Sequence, residues 1–338
     1  MIETRTLTDG GQSAEEIAAE LVTFLGQARH TLHIAIYDVR LSGPVGDSVR
    51  DALRAAAARG VKVRIAYNAD DVRRVPVPPP PRTDPDILGA VGVPVKPIPG
   101  EPDLMHHKFV VRDGDAVWTG STNWTLDSWT REENVILRVL GDRGVAGQFE
   151  HVFRDLWDRG RVQDSGSFSP PPGAIRPWFC PGRGEQLAHR IASAIGQSRR
   201  RVRIASPVLT SGPILGTLNE VLAEGRVDVQ GVCDATQIDE VFHQWETNGR
   251  SNWKAPLLHR ALAVFHGKRS TPYRPGSVHD YMHAKVTVCD DLVFCGSFNL
   301  SRSGELNAEN VLEIKDAALA DQLATYIDGV RARYAAMP

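Results

Sequence analysis

Apolar positions along the chain change period several times. From Ala14 to Ala28 they recur every three to four residues, the spacing that gathers one face of a helix, and Leu32 to Tyr37 then reads as a short strand. Glu185 to Ser198 followed by Val202 to Ser206 repeats that change. A second helix precedes a second strand in each place: Val45 to Arg59 before Val61 to Tyr67, and Pro213 to Glu224 before Val227 to Val232. Such alternation predicts an α/β fold, with helices packed on the faces of a sheet.

The two stretches are copies. Gly26-Gln27-Ala28-Arg29 with Leu32-His33-Ile34-Ala35 recurs as Gly196-Gln197-Ser198-Arg199 with Val202-Arg203-Ile204-Ala205, at a constant offset of 170. Ser, Gly and Pro gather at Asp164 to Pro172 and Pro177 to Gly182, which puts a boundary near residues 160 to 178. The expectation is two similar domains, 1–160 and 176–338, related by a pseudo-twofold, each a mixed sheet flanked by helices. The segment between Asn68 and His106 spans 38 residues and its counterpart between Asp234 and His283 spans 49, so Ala235 to Tyr281 is where substrate choice is expected to sit. Pro76 to Pro81 can donate few backbone hydrogen bonds and reads as an extended surface loop.

At 338 residues the chain can bury a core without disulfides, and 39 basic against 41 acidic side chains give no global grip on nucleic acid. Nothing near the start reads as a secretory signal and no apolar run approaches the roughly 20 residues that cross a bilayer, so a cytoplasmic location and at most peripheral lipid contact are expected. Cys180, Cys233, Cys289 and Cys295 lack paired spacing and read as small buried side chains, with a Cys289–Cys295 bridge left open.

Both copies close on one pattern. The first reads His106-His107-Lys108, Asp113, Gly120-Ser121-Thr122-Asn123 and Glu133-Asn134; the second reads His283-Ala284-Lys285, Asp290, Gly296-Ser297-Phe298-Asn299 and Glu309-Asn310. The offset is 177 from His to Asp and 176 from Gly onward, so the second turn is one residue shorter. On a strand, residues i and i+2 share a face, so His106 with Lys108 and Ser121 with Asn123 project together from a hairpin turned at Asp113-Gly114, as their counterparts do at Asp290-Asp291. Lysine, serine and asparagine from both halves make a donor-rich pocket for a phosphate. One histidine on each side of the phosphorus suits in-line displacement: one ring attacks while the other protonates the leaving oxygen. Lys108 and Lys285 neutralise the non-bridging oxygens, so neither metal nor other cofactor is called for.

These residues resemble the phospholipase D superfamily, whose mark is HxKx4D followed by GSxN, commonly twice in a chain. Met105-His106-His107-Lys108-Phe109 and Gly120-Ser121-Thr122-Asn123-Trp124-Thr125 look like the cardiolipin-hydrolase and small-nuclease branch, and Phe179-Cys180-Pro181 before a helix looks like the start of a small bacterial nuclease. The resemblance implies His106 as nucleophile and His283 as general acid and base. It gives Glu133 and Glu309 the task of steadying an imidazole, and leaves Asp113 and Asp290 structural.

A metal site from His106, His107 and Asp113 is the competing chemistry, but strand alternation sends the two histidines to opposite faces. His33, His151, His189, His243 and His259 read as structural, while His107 and His279 are near the site by sequence only. Arg199, Arg200, Arg201 and Arg203 read as a solvated face. Trp118, Trp124, Trp129 and Trp253 read as packed, with base stacking or a lipid interface as the other reading. The function expected is phosphodiester cleavage or transfer on a phospholipid, with one active site complete in a monomer. The alternatives are a metal-independent endonuclease on DNA or RNA and a non-catalytic phosphate-binding scaffold.

Overall fold

A computed structural model describes residues 1–69, 88–100, 103–163, 173–249, 251–274 and 276–337. The proline run 76–81 and the middle of the expected junction lie outside these residues. The first half runs β1 (Ile2–Leu7), a helix Ala14–Gly26, β2 (Thr31–Ile36), β3 (Val39–Arg40), a helix Gly43–Ala58, β4 (Lys62–Ala69), β5 (Val95–Pro99), β6 (Lys108–Arg112), β7 (Ala116–Gly120), β8 (Trp124–Thr125), a short helix Leu126–Thr130, β9 (Asn134–Leu140) and a helix Arg143–Arg159. The second half runs β10 (Ile175–Cys180), a helix Gly184–Gln197, β11 (Arg201–Ala205), a helix Gly212–Glu224, β12 (Asp228–Asp234), helices Ala235–Asn248 and Ala255–Leu262, and β13 (Phe265–Lys268). It ends with β14 (Val286–Cys289), β15 (Leu292–Gly296), a short helix Arg302–Leu306, β16 (Glu309–Lys315), a helix Ala317–Arg331 and β17 (Ala335–Ala336).

Each half builds one mixed sheet, in the orders β1-β9-β7-β6-β2-β4-β5 and β10-β16-β15-β14-β11-β12-β13-β17. The orders match strand for strand, apart from β17 at the outer edge. In both, the two repeat-derived strands pair in parallel (β2 with β4, β11 with β12), and the motif hairpin is inserted antiparallel beside them. The expected α/β architecture is the one observed.

The two halves share a core. Helices Arg143–Arg159 and Ala317–Arg331 bury their apolar faces together with the inner faces of both sheets in one continuous cluster that includes Val111, Leu137, Phe149, Val288, Leu312 and Leu323. Separate clusters lie under the outer helices of each sheet. The central helices reach across the chain: Phe149 meets Phe179 of β10 edge-on at 4.9 Å, and the Tyr326 hydroxyl donates to the carbonyls of Leu7 and Asn134 at 2.9 and 3.2 Å. All four cysteines are buried free thiols, so the open Cys289–Cys295 bridge is absent.

The aspartate that ends each HxKx4D motif explains the repeated turn. Asp113 accepts from the backbone N–H groups of Arg29, His30 and Thr31 at 2.7–2.9 Å, and Asp290 accepts from Arg199, Arg200 and Arg201 at 2.9–3.1 Å. Each thereby satisfies the donors left over where a helix turns into the central strand. Both aspartates adopt a left-handed backbone, φ 53°, which short polar side chains tolerate at tight turns. Burial pushes each carboxyl up, but the three amide donors outweigh it and hold both below the ordinary value. Their stabilisation is therefore present above the ordinary carboxylate range and is lost as pH falls through the depressed pKa. We predict that Asp290→Ala lowers stability by about 1–2 kcal/mol in urea unfolding at pH 7. The deficit should narrow on acidification; a variant as stable as the parent at pH 7 would contradict this role.

Candidate active site

The strands that carry the two histidines are fixed by matched polar contacts. The N–H of Met105 donates to Asn68 Oδ1 at 2.9 Å, and that of Met282 donates to Asp234 Oδ2 at 3.0 Å. The histidines' own N–H groups cross to the opposite half: His106 to the Ala308 carbonyl at 3.0 Å, and His283 to the Glu133 carbonyl at 3.1 Å. Parallel bridges Met105–Ala308 and Met282–Glu133 accompany them. Each motif is thus sewn into the other half before any side chain is considered.

The imidazoles are held across the same divide. His106 Nδ1 lies 2.7 Å from Glu309 Oε1, and Glu309 in turn accepts from the Ser297 hydroxyl. His283 Nδ1 lies 3.2 Å from Asn134 Oδ1 and 3.4 Å from Glu132 Oε2. Lys108 and Lys285 are 3% and 4% exposed, so these ammonium groups are almost out of water. Each donates to the carbonyl of its own histidine, at 2.8 and 2.6 Å.

Burial, joined by the two lysines, holds both imidazoles well below their ordinary pKa. Burial also pushes Lys108 down to about 8, and burial with Lys108 pushes Lys285 well down. Glu309 and Glu132 are raised by burial to about 7. A site with two desolvated ammonium groups and weakly ionised partners is one that an incoming phosphate anion would stabilise.

Three expectations require correction. Glu133 does not touch an imidazole: its carboxylate accepts from Lys268 Nζ at 2.9 Å and from the Tyr334 hydroxyl. The cause is register. Ser121 N donates to the Val135 carbonyl and Ser297 N to the Asn310 carbonyl, so the strand positions correspond at an offset of 175. Asn134 therefore stands opposite Glu309, and Glu133 opposite Ala308. The identical Glu-Asn pairs mislead, because the second copy loses a further residue before β16. Core alternation carried the signal: at an offset of 176 the core residue Leu137 would match Glu313, whereas at 175 it matches Leu312.

The second and third corrections concern Ser121 and Ser297. Both are fully buried and committed to protein, donating to Asn134 Oδ1 and Glu309 and accepting from the N–H groups of Val135 and Asn310. Their hydroxyls tie down the β9 and β16 ends, leaving none for a phosphate. Asn123 and Asn299 do line the cleft, and their buried Oδ1 atoms have no hydrogen-bond partner among the described residues.

The cleft has a volume of about 510 Å³. His283, Glu132 and Tyr37 line it beside the two asparagines, with Pro207, Val208, Val241, Pro272, Tyr273, His279 and Tyr281 among its walls. Much of this wall comes from residues 236–281, the longer segment of the second copy. His106 and Lys108 stand just behind: the Tyr37 ring meets His106 edge-on at 4.5 Å and lies 4.9 Å from the Lys108 ammonium. His107 turns away, its Nδ1 3.3 Å from Asn310 Oδ1 and its ring against Phe109, while Asp113 sits at the far hairpin tip. His106, His107 and Asp113 therefore do not converge. Sequence reasoning missed Glu132, Asn134 as a ring partner, and Tyr37.

Two fused α/β halves that face each other through paired His-x-Lys strands define a phospholipase D-type protein. The chain belongs to the family described as cardiolipin synthase, PLD-like domain, whose model matches residues 21–157 and again 191–331. It is 30% identical over 141 residues to a mitochondrial cardiolipin hydrolase of Chlamydomonas reinhardtii, covering 41% of this chain and 57% of that protein. It is 25% identical over 351 residues to cardiolipin synthase 1 of Bacillus anthracis, covering 90% of this chain and 62% of that one. The chain thus spans about three fifths of the length of these curated relatives. In fold it is similar to phosphatidylserine synthase of Haemophilus influenzae, with a TM-score of 0.66 at 14% identity over 98% of this chain and 86% of that one.

The glycine that opens each GSxN motif is required by contact. A Cβ at Gly120 would lie 2.1 Å from the Val135 carbonyl oxygen, and one at Gly296 2.1 Å from that of Asn310. No side chain can yield there, since both obstacles are backbone. Gly296→Ala should cost on the order of 2–4 kcal/mol and loosen the strand that presents Glu309. A thermal unfolding midpoint equal to the parent's would refute this.

Proposed function

We propose that the chain cleaves the phosphodiester of a phospholipid, or transfers its phosphatidyl group to an alcohol, through a phosphohistidine on His106. With Nδ1–H donated to Glu309, His106 keeps its Nε2 lone pair free to attack phosphorus. The bond from phosphorus to the leaving oxygen breaks as that oxygen takes a proton from His283. Water or an alcohol then attacks phosphorus, His283 accepts its proton, and the P–N bond breaks to regenerate His106. Lys108 and Lys285 offset the charge on the non-bridging oxygens throughout.

The observation that carries the lipid reading is the cleft wall. Tyrosine, proline and valine supply seven of its seventeen lining residues, its carboxylates are Glu132 and Glu240, and no lysine or arginine lines it among the described residues. A polynucleotide needs a cationic track for successive phosphates, whereas one phosphodiester at the end of an apolar tail does not. The named activities of the cardiolipin-processing relatives support the same substrate class. No helix among the described residues is long and apolar enough to cross a membrane.

Headgroup release from phosphatidylglycerol or cardiolipin vesicles, assayed in chelator beside degradation of single- and double-stranded DNA and RNA, tests the reading. We expect lipid turnover that falls by at least roughly 10³-fold in both His106→Ala and His283→Ala. Turnover of nucleic acid alone would transfer the site to the nuclease reading, and near-parental activity in either variant would overturn the mechanism.

A further inference from the structure

The two half-sites are not electrically equal. His106 faces a carboxylate at 2.7 Å, but at the matching position His283 faces the amide of Asn134, which carries no net charge. That amide's orientation is fixed by its neighbours: Nδ2 donates to the Ser128 carbonyl at 3.0 Å and to Glu132 Oε2 at 2.9 Å, while Oδ1 accepts from Ser121 at 2.6 Å. Only an acceptor oxygen therefore faces the ring, and His283 must carry a proton on Nδ1 in both of its charge states.

To donate from Nε2 as well, His283 must become an imidazolium. The charged and titratable groups facing it oppose this: Lys285 on its own strand, Lys108 and His106 from the other half, and His279 from the segment leading into the motif. Glu132, 3.4 Å from Nδ1 and 3% exposed, is the carboxylate that stands against them. Asn134 holds it there by the same Nδ2 contact.

Resting on the mechanism proposed above, we infer that Glu132 is a positioning residue for His283, supplying from outside the repeated motif the negative charge that lets this ring hold and deliver a proton. It takes over for the first half what Glu309 does for the second, from two residues earlier in the chain. Burial raises Glu132 to about 7, so its charge is itself responsive to what binds nearby.

Glu132→Gln keeps shape and removes charge; Asn134→Asp places a carboxylate on the ring at the position matching Glu309. With ring-labelled histidine, NMR titration should show the His283 pKa falling by roughly one unit or more in Glu132→Gln and recovering in Glu132→Gln/Asn134→Asp. On phosphatidylglycerol vesicles the alkaline limb of kcat/KM should move down with it, because the imidazolium is lost at lower pH. Loss of kcat/KM should be at least about tenfold there, but under about threefold on phosphatidyl-p-nitrophenol, whose leaving group departs without a proton. An unmoved His283 pKa overturns the inference, as do equal losses on the two lipids with an unmoved alkaline limb, the signature of a merely structural residue. Absence of lipid turnover in the parent would sink the proposed function instead, while the ring titration would still decide the role of Glu132.

Discussion

The constraint on which the site depends is that the backbone of each histidine strand finds its acceptor in the other half. His106 N–H needs the Ala308 carbonyl and His283 N–H needs the Glu133 carbonyl, and a buried amide without a partner would cost about 1–3 kcal/mol. Ring partners, lysines and cleft follow from that reciprocal lacing. The shared central core enforces it, since the helices that cover one sheet also pack against the other and the halves cannot shift without opening apolar surface.

Much of this was legible in the chain. Helix and strand periods gave the repeated units, and the matched motifs gave the hairpins with their lysines and asparagines, because period-two alternation fixes which side chains travel together. The shared core was not legible: the pattern along Val145 to Leu156 shows an apolar face but not that two sheets compete for it. Nor was the commitment of Ser121 and Ser297 to backbone and side-chain partners, since a hydroxyl's partner depends on a strand more than ten residues away. Glu133 shows the most instructive failure, where sequence identity across a gap outvoted the hydrophobic alternation that sets register.

Charge burial shapes the rest. Lys108, Lys285, Glu309, Glu132 and two histidines are crowded into a volume nearly closed to water, and each is driven toward its neutral form. Such a cluster is poorly stabilised when empty and well matched to an oxyanion, so part of what weakens the resting fold there becomes affinity for a phosphate. The signature aspartates show the reverse economy, since Asp113 and Asp290 serve the fold alone.

The one-residue difference ahead of β16 also has a meaning for descent. In an assembly of two identical chains, any insertion or deletion would strike both half-sites at once, and the nucleophile and its partner would always share one environment. Joining the copies in a single polypeptide frees each to drift, so that one lost residue sets an amide against one ring and a carboxylate against the other. Division of labour between the histidines thus becomes heritable.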